Sequence, residues 1–268
     1  MDKQLFFICF LTFVIHLIGT LAYSVRIAGI RTRRIAVSLA LFSILMLVSR
    51  TSNSFLGPFL AKRVETGLSA PQAAEVLLAD FRWLLLASSL ATIAGALLIP
   101  TFQRVFCRAV VHFQRHRSVP KLILHGFFKG GLSYVRDAAS MPAKANLTAL
   151  GQASGVSWQV TALNVGAVAL WTVGVFAALY AGVLDPSVRV TSSTLSSIIN
   201  GGATVMMAVF IDPYMSVMTD DVIEGRVEES RFRRAVVWLV GSRLAGTLLA
   251  QLLLVPSALL IVVTAHAI

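Results

Sequence analysis

The chain has few cysteines and few charged side chains, and both shortages narrow the kinds of protein it can be. Its 268 residues include only Cys9 and Cys107, which lie far apart and lack the CxxC spacing of a zinc or redox site. Neither a disulfide framework nor a metal site is therefore supported. Charged residues make up 13% of the chain, about half the share usual in globular proteins. Because hydrophobic residues make up 57%, the composition indicates a polytopic membrane protein.

The sequence motifs of familiar enzymes are also absent. The chain contains no GxxxxGK[ST] phosphate-binding loop, no GxSxG nucleophile turn and no HExxH zinc motif. The histidine and arginine signatures of membrane-embedded lipid phosphatases are absent as well. We therefore expect a protein that is not an enzyme, with no catalytic residues, no metal and no cofactor.

Acidic residues are scarce relative to basic ones, 12 against 23, which gives a net charge of +11. In a soluble protein such an excess would suggest nucleic acid as a partner. Here most basic residues lie in loops between apolar segments, where they are typical of contacts with anionic membrane lipids. We expect membrane lipids, and no nucleic acid, as partners.

Six segments have the roughly 20 mainly apolar residues that a membrane span needs. They are 4–25, 35–58, 82–103, 158–183, 195–216 and 235–264. The N-terminal segment lacks an evident cleavage site, so we treat it as a retained span. The sequence thus predicts one all-α transmembrane domain over 1–268, with the segment 104–157 forming short helices at the cytoplasmic membrane interface. Two inverted three-helix halves are an open alternative, because the second and fifth spans both have polar ends.

The distribution of lysine and arginine predicts the orientation in the membrane. Sixteen of these residues lie in the loops 22–34, 104–157 and 217–234, whereas five lie in the loops and terminus on the opposite side. Short loops rich in basic residues remain in the cytoplasm. We therefore expect both termini on the extracytoplasmic side.

Arginines within the spans indicate the candidate site. An arginine in mid-membrane costs about 2.5–3.5 kcal/mol on insertion scales, which makes a functional reason plausible for Arg50 and Arg243. Arg50 shares the outer end of its span with Thr51 and Asn53, and we predict that these three line a water-filled cavity that accepts an anion. Two interpretations of Arg243 stay open, anion binding or an ion pair with Asp212.

Three further polar residues belong to the candidate set. Arg26, at the inner end of the first span, either holds the helix at the lipid headgroups or binds a phosphate, whose oxygens match the guanidinium geometry. His16, in the middle of the same span, either faces a cavity or is a neutral histidine bonded to a neighbouring helix. Asn200 precedes two glycines, and this pattern predicts a break or a close-packing point in the fifth span.

Several strings of the sequence resemble the Amj family of bacterial lipid II flippases. They lie at 20–29, 31–32, 47–53, 179–182, 193–197, 211–213, 218–225 and 242–244. The resemblance runs through most of the chain and is weakest in 59–150. Together these strings are specific, whereas each alone would be weak.

The resemblance implies a transporter of the bacterial cytoplasmic membrane that acts in cell wall biosynthesis. Its partner would be lipid II, the undecaprenyl-pyrophosphate-linked peptidoglycan precursor, which the family moves from the inner to the outer leaflet. The resemblance carries over no substrate-binding residues. Alternatives that stay open are export of another anionic lipid-linked glycan, and a scaffold or an enzyme that acts on polyprenyl-linked intermediates. The sequence does not predict the oligomeric state.

Overall fold

The computed structural model describes residues 2–69, 72–116, 136–142 and 155–268. The regular structure of these residues is helical, without strands. The helices are α1 (Lys3–Thr32), α2 (Ile35–Gly67), α3 (Ala73–His116), α4 (Trp158–Leu184), α5 (Arg189–Met206), α6 (Asp212–Ile223) and α7 (Glu229–Ala267). A 3-10 turn at Pro186–Val188 precedes α5, and a π-helical turn at Met207–Ile211 joins α5 to α6.

Six helical units are long and apolar enough to cross a membrane, with α5, the π-helical turn and α6 counted together as the fifth. This result confirms the predicted all-α polytopic membrane protein and its six spans. Several helices extend beyond the predicted limits of their spans. The apolar stretch predicts only the part that crosses the membrane, whereas the backbone hydrogen bonds of a helix continue through polar residues.

The beginning of the predicted interfacial segment is a correction to the sequence analysis. Residues 104–116 continue α3 and do not form a separate helix. The physical reason is that no proline or glycine lies between Thr101 and His116, so nothing in this stretch stops the helix. Residues 117–135 and 143–154 of the predicted interfacial segment lie outside the described part of the chain.

The helices pack in the same order in each half of the chain. In the first half α1 lies between α2 and α3, and in the second half α4 lies between α5 and α7. The halves meet mainly where α3 packs against α7 and α4. This shared order is compatible with an inverted repeat, which stays a prediction because the two halves lack a residue-level match.

The fifth span departs from regular α-helix after the predicted point. α5 passes through Asn200 and the two following glycines without a break, so of the two predicted alternatives the break is not formed. The irregular turn is Met207–Ile211, where the N–H of Asp212 donates to the carbonyl of Met207. Pro213 has no N–H, and its ring crowds the preceding turn, which gives a physical reason for a wider turn here.

Ion pairs join the helices at the end expected to face outward. Nε of Arg63 in α2 lies 2.7 Å from Oδ2 of Asp80 in α3, and Arg63 also pairs with Asp2. Nε2 of His266 lies 2.8 Å from Oδ2 of Asp185, just after α4. Hydrogen bonds from Ser187 and then His266 lower the pKa of Asp185 to about 2. Its contribution to stability is therefore complete above about pH 4 and is lost as the pH falls toward 2.

Gly246 allows α7 to approach α4 closely, and we expect its replacement by valine to destabilise the bundle. A Cβ atom at Gly246 would lie 2.7 Å from the carbonyl oxygen of Val165 and 2.8 Å from Cβ of Val168. Overpacking of this kind costs about 1–3 kcal/mol. A Cβ atom at Gly57 would meet nothing within 4 Å, so Gly57→Val is the matched control. Melting of the purified variants measures both effects, and equal melting temperatures for the two would contradict this packing.

Candidate functional site

Polar side chains from four helices lie close together, with His16 and the Nε atom of Arg243 buried in the bundle and Asp212 and Ser216 at its exposed surface. α1 contributes three of them at positions i, i+7 and i+10, which place the side chains on one face of the helix. α4, α6 and α7 contribute the others. We call this set the intramembrane polar cluster; its members are His16, Tyr23, Arg26, Asn164, Asp212, Ser216, Ser242 and Arg243.

The side chain of Arg243 extends from α7 to α1. Its guanidinium packs against Gly19 so closely that a Cβ atom there would lie 2.5 Å from Nη2. The Nε atom of Arg243 is buried and has no hydrogen-bond partner among the described residues. The predicted alternative of an ion pair with Asp212 is not formed, because Asp212 pairs with Arg26. Within the described part of the chain, Arg243 is therefore a positive charge inside the bundle without a carboxylate partner.

Arg26 and Asp212 form an ion pair between α1 and the start of α6. Nη2 of Arg26 lies 3.3 Å from Oδ1 of Asp212, and Nη1 donates to the hydroxyl of Ser216 at 3.3 Å. The Arg26 side chain is 18% exposed and that of Asp212 is 65% exposed. A single long contact with an exposed carboxylate contributes little to stability. An anion with stronger charge can therefore compete with Asp212 for Arg26.

His16 and Tyr23 flank the guanidinium of Arg243 on α1. His16 is buried, its Nδ1 atom has no hydrogen-bond partner among the described residues, and Arg243 acts on it electrostatically. The predicted alternative of a hydrogen bond from His16 to a neighbouring helix is therefore not formed through Nδ1. Tyr23 lies close enough to Asn164 and Arg243 to interact with both electrostatically. The face of α1 that meets Arg243 is therefore polar.

Asn164 joins α4 to α7 beside Arg243. Its amide nitrogen donates to the carbonyl of Leu239 at 3.1 Å and to the hydroxyl of Ser242 at 2.7 Å. Both Asn164 and Ser242 are buried. Hydrogen bonds between helices contribute about 0.6–2 kcal/mol each in membranes. They fix the rotation of α7 against α4, which directs the neighbouring Arg243 toward α1.

Sequence reasoning missed Tyr23 and Asn164. The available signals were weak: Tyr23 lies three residues before Arg26, on the same face of the helix, and Asn164 is the one amide side chain within the apolar stretch 160–183. A polar residue at helical spacing from an arginine is a usable clue. It does not identify the partner on another helix.

The remaining predicted residues lie elsewhere in the bundle. The side chains of Arg50, Thr51 and Asn53 are exposed on α2, a helix that packs mainly against α1. Asn200 contacts Gly174 at the interface of α5 and α4, where a Cβ atom on that glycine would lie 2.5 Å from Oδ1. This contact agrees with the close-packing interpretation of Asn200. The predicted residues that the structure brings together are His16, Arg26, Asp212 and Arg243.

The chemistry of the intramembrane polar cluster favours an anionic ligand. A charge inside a membrane bundle normally pairs with an opposite charge or faces a hydrated cavity. The planar guanidinium of an arginine binds phosphate oxygens in pairs. Gly19, which the guanidinium of Arg243 contacts, and Arg26 lie about 10 Å apart along α1 by the helical rise. The two arginines can therefore contact the same phosphate group in turn.

Comparison with known proteins agrees with the resemblance noted in the sequence. A family model described as Amj, alternate to MurJ, matches residues 11–265. A curated protein of Bacillus subtilis (strain 168), named lipid II flippase Amj, is 37% identical over 261 residues, which cover 96% of this chain and 94% of that protein. No solved structure matches the chain. Since both matches extend over nearly the whole sequence, the chain belongs to the Amj family.

Proposed function

We propose that this protein is a lipid II flippase, a transporter that moves the undecaprenyl-pyrophosphate-linked peptidoglycan precursor from the inner to the outer leaflet of the bacterial cytoplasmic membrane. The family and the name of the Bacillus subtilis relative support this substrate. The structural observation that carries the mechanism is Arg243, a positive charge inside the bundle without a carboxylate partner among the described residues.

The pyrophosphate is the obstacle to spontaneous movement, because an anion has a very large desolvation energy in hydrocarbon. Arg26, at the inner end of α1, binds the pyrophosphate first and releases Asp212. The pyrophosphate then moves to Arg243, where the guanidinium supplies charge and paired hydrogen bonds. The polyprenyl chain stays in the lipid during this movement. The headgroup leaves when the cluster opens to the outer side.

Arg50, Thr51 and Asn53 remain a predicted second contact for the anion. They are exposed on α2 and, if α2 starts at the cytoplasmic surface, Arg50 lies in the outer part of the membrane. An arginine and two polar side chains there suit a headgroup that is leaving the bundle. We expect replacement of Arg50 by glutamine to slow the release of the headgroup to the outer leaflet.

Reconstitution into vesicles tests the proposed function. Labelled lipid II is placed in one leaflet, and its appearance in the other is measured with and without the protein, with labelled phosphatidylglycerol as the control lipid. We expect protein-dependent movement of lipid II alone. Movement no faster than in protein-free vesicles would contradict the proposal. Chemical turnover of lipid II without movement would indicate an enzyme, and equal movement of other polyprenyl-linked glycans would indicate a broader exporter.

The proposed direction of transport depends on the orientation of the bundle. The positive-inside distribution predicts that both termini lie outside and that the loop around Arg226 lies in the cytoplasm. We expect alkaline phosphatase fused after Ile268 to be active and the same enzyme fused after Arg226 to be inactive. Fluorescent protein fusions should give the opposite pattern, since they fold in the cytoplasm. The reverse result for both pairs would show an inverted orientation.

A further inference from the structure

A groove with a volume of about 300 Å³ lies between α3 and α7, and Ile27 of α1 also lines it. We call it the α3–α7 groove. Its two walls are formed by residues within 92–103 of α3 and within 233–244 of α7. Pro142 also lines the groove, and most of the lining side chains are apolar. Gln103, the last groove residue of α3, and Arg233, the first of α7, both lie toward the end expected to face the cytoplasm, since the predicted topology has the two helices cross the membrane in opposite directions. The groove is therefore an apolar channel with a cation at one end.

The length and the depth of the groove match one leaflet of a membrane. Each wall covers eleven residue steps, which correspond to about 16 Å of helix, or half of the roughly 30 Å hydrocarbon layer. Arg233 lies one turn after the start of α7 at Glu229, at the end expected to face the cytoplasm. The other end of the groove is Leu244, next to Arg243. The groove thus runs from the inner headgroup layer to the middle of the membrane.

The charge of Arg233 is free to meet an anion. Arg233 is partly buried and forms no ion pair with the residues that the structure describes. The carboxylate closest to it in sequence, Glu229, lies 3.0 Å from Nη2 of Arg31. Asp221, before α7, is 2.7 Å from Nη2 of Arg226. Both carboxylates are therefore engaged by other arginines.

We propose that the α3–α7 groove holds the isoprene units nearest the pyrophosphate of a polyprenyl-pyrophosphate lipid in the inner leaflet, with Arg233 in contact with the pyrophosphate and the rest of the chain in the lipid. The inference rests on the proposed function and adds the place where the substrate waits before it crosses. Apolar walls bind the hydrocarbon chain by van der Waals packing, since the lipid supplies no hydrophobic driving force, and the cation selects a phosphate-bearing head. The groove residues Ile27 and Leu244 directly follow Arg26 and Arg243 in the sequence, so one end of the groove lies near the intramembrane polar cluster.

The test uses the full chain in nanodiscs and undecaprenyl pyrophosphate with a photoreactive diazirine in its tail. Mass spectrometry of the irradiated protein should locate adducts within 92–103 and 233–244. We expect Ala96→Phe, which fills the groove, to reduce these adducts about tenfold, and Leu252→Phe, on the exposed face of α7, to leave them unchanged. Loss of a charged hydrogen bond weakens binding about tenfold or more. We therefore expect Arg233→Gln to weaken binding of the labelled lipid by this factor and Arg234→Gln to leave it unchanged.

Three results would overturn the groove proposal: adducts mainly elsewhere, equal labelling of the Ala96→Phe and Leu252→Phe variants, or competition by phosphatidylglycerol as strong as that by unlabelled undecaprenyl pyrophosphate. If Ala96→Phe fails to fold, the positions of the wild-type adducts and the comparison of Arg233→Gln with Arg234→Gln still test the groove proposal. The adduct map judges the groove, and vesicle flipping by the wild type judges the proposed function. Flipping at the wild-type rate by a folded Ala96→Phe variant would remove the groove from transport and leave the function intact.

Discussion

Replacing Arg243 by glutamine is expected to reduce the initial rate of lipid II flipping at least about 100-fold while the protein still inserts and folds. The pyrophosphate would then lose its charged partner inside the bundle, and an unpaired buried charge costs about 3–5 kcal/mol. A difference of 1.4 kcal/mol is tenfold in an equilibrium, so the lower bound already exceeds 100-fold. Arg243→Lys keeps the charge but loses the paired hydrogen bonds, and its rate should lie between the two. Vesicle flipping assays measure all three proteins.

The stability of the Arg243→Gln variant separates a transport role from a structural one. An arginine within a span lowers the favourable free energy of membrane insertion, and Arg243 has no carboxylate partner among the described residues to offset this. We therefore expect the variant to melt at or above the wild-type temperature. Lys62→Gln, at an exposed position of α2, is the control for loss of one positive charge. Wild-type flipping by Arg243→Gln, or lost flipping together with a lower melting temperature, would contradict the account.

The two partners of the inner ion pair should respond unequally to neutralisation. We expect Arg26→Gln to raise the lipid II concentration needed for half-maximal flipping about 10- to 100-fold, the effect of losing a charged hydrogen bond. Asp212→Asn should not raise it, because Asp212 competes with the pyrophosphate for Arg26. The dependence of the initial rate on the mole fraction of lipid II in the vesicles measures this quantity.

A double variant completes that comparison. Arg26→Gln combined with Asp212→Asn should behave like Arg26→Gln alone, since the competing carboxylate no longer matters once its arginine is gone. Equal losses from the two single variants, restored in the double variant, would show that the pair is a structural contact between α1 and α6. In that case Arg26 would have no part in binding the substrate.

The six spans could be predicted from the sequence because length and apolarity suffice to identify them. The partners of the charged residues could not. Asp212 was considered as a partner for Arg243, whereas it pairs with Arg26, 186 residues away. Each residue turns the direction of a side chain by about 100° around the helix axis, so partner choice depends on the rotation of each span. Apolar residues surround α4 and α7 along most of their length, and the few polar residues within these spans, such as Asn164 and Arg243, form no stripe that fixes the rotation.

The two arginines within the spans illustrate the same limit. From the sequence, Arg50 and Arg243 are both candidates to bind the anion, Arg50 near the outer end of its span and Arg243 eight residues into the span that starts at 235. The structure places Arg243 against Gly19 of α1 and leaves Arg50 exposed on α2. The difference arises from helix packing, and in particular from the contact of Asn164 with Ser242. The contact joins α4 to α7, and the order of these helices along the chain does not predict which of their residues meet.

The most direct test of the account is a solid-state NMR measurement of dipolar coupling between arginine side-chain nitrogen and the phosphorus of undecaprenyl pyrophosphate bound to the protein in membranes. Because Arg26, Arg50 and Arg233 are also proposed to contact the pyrophosphate, the measurement uses a protein that carries Arg26→Lys, Arg50→Lys and Arg233→Lys. We predict a nitrogen–phosphorus contact in this protein that is lost or strongly reduced when Arg243→Lys is added and retained when Arg34→Lys is added, at an exposed position before α2. No contact before Arg243→Lys is added, or the same contact after it, would contradict the claim that Arg243 accompanies the pyrophosphate across the membrane.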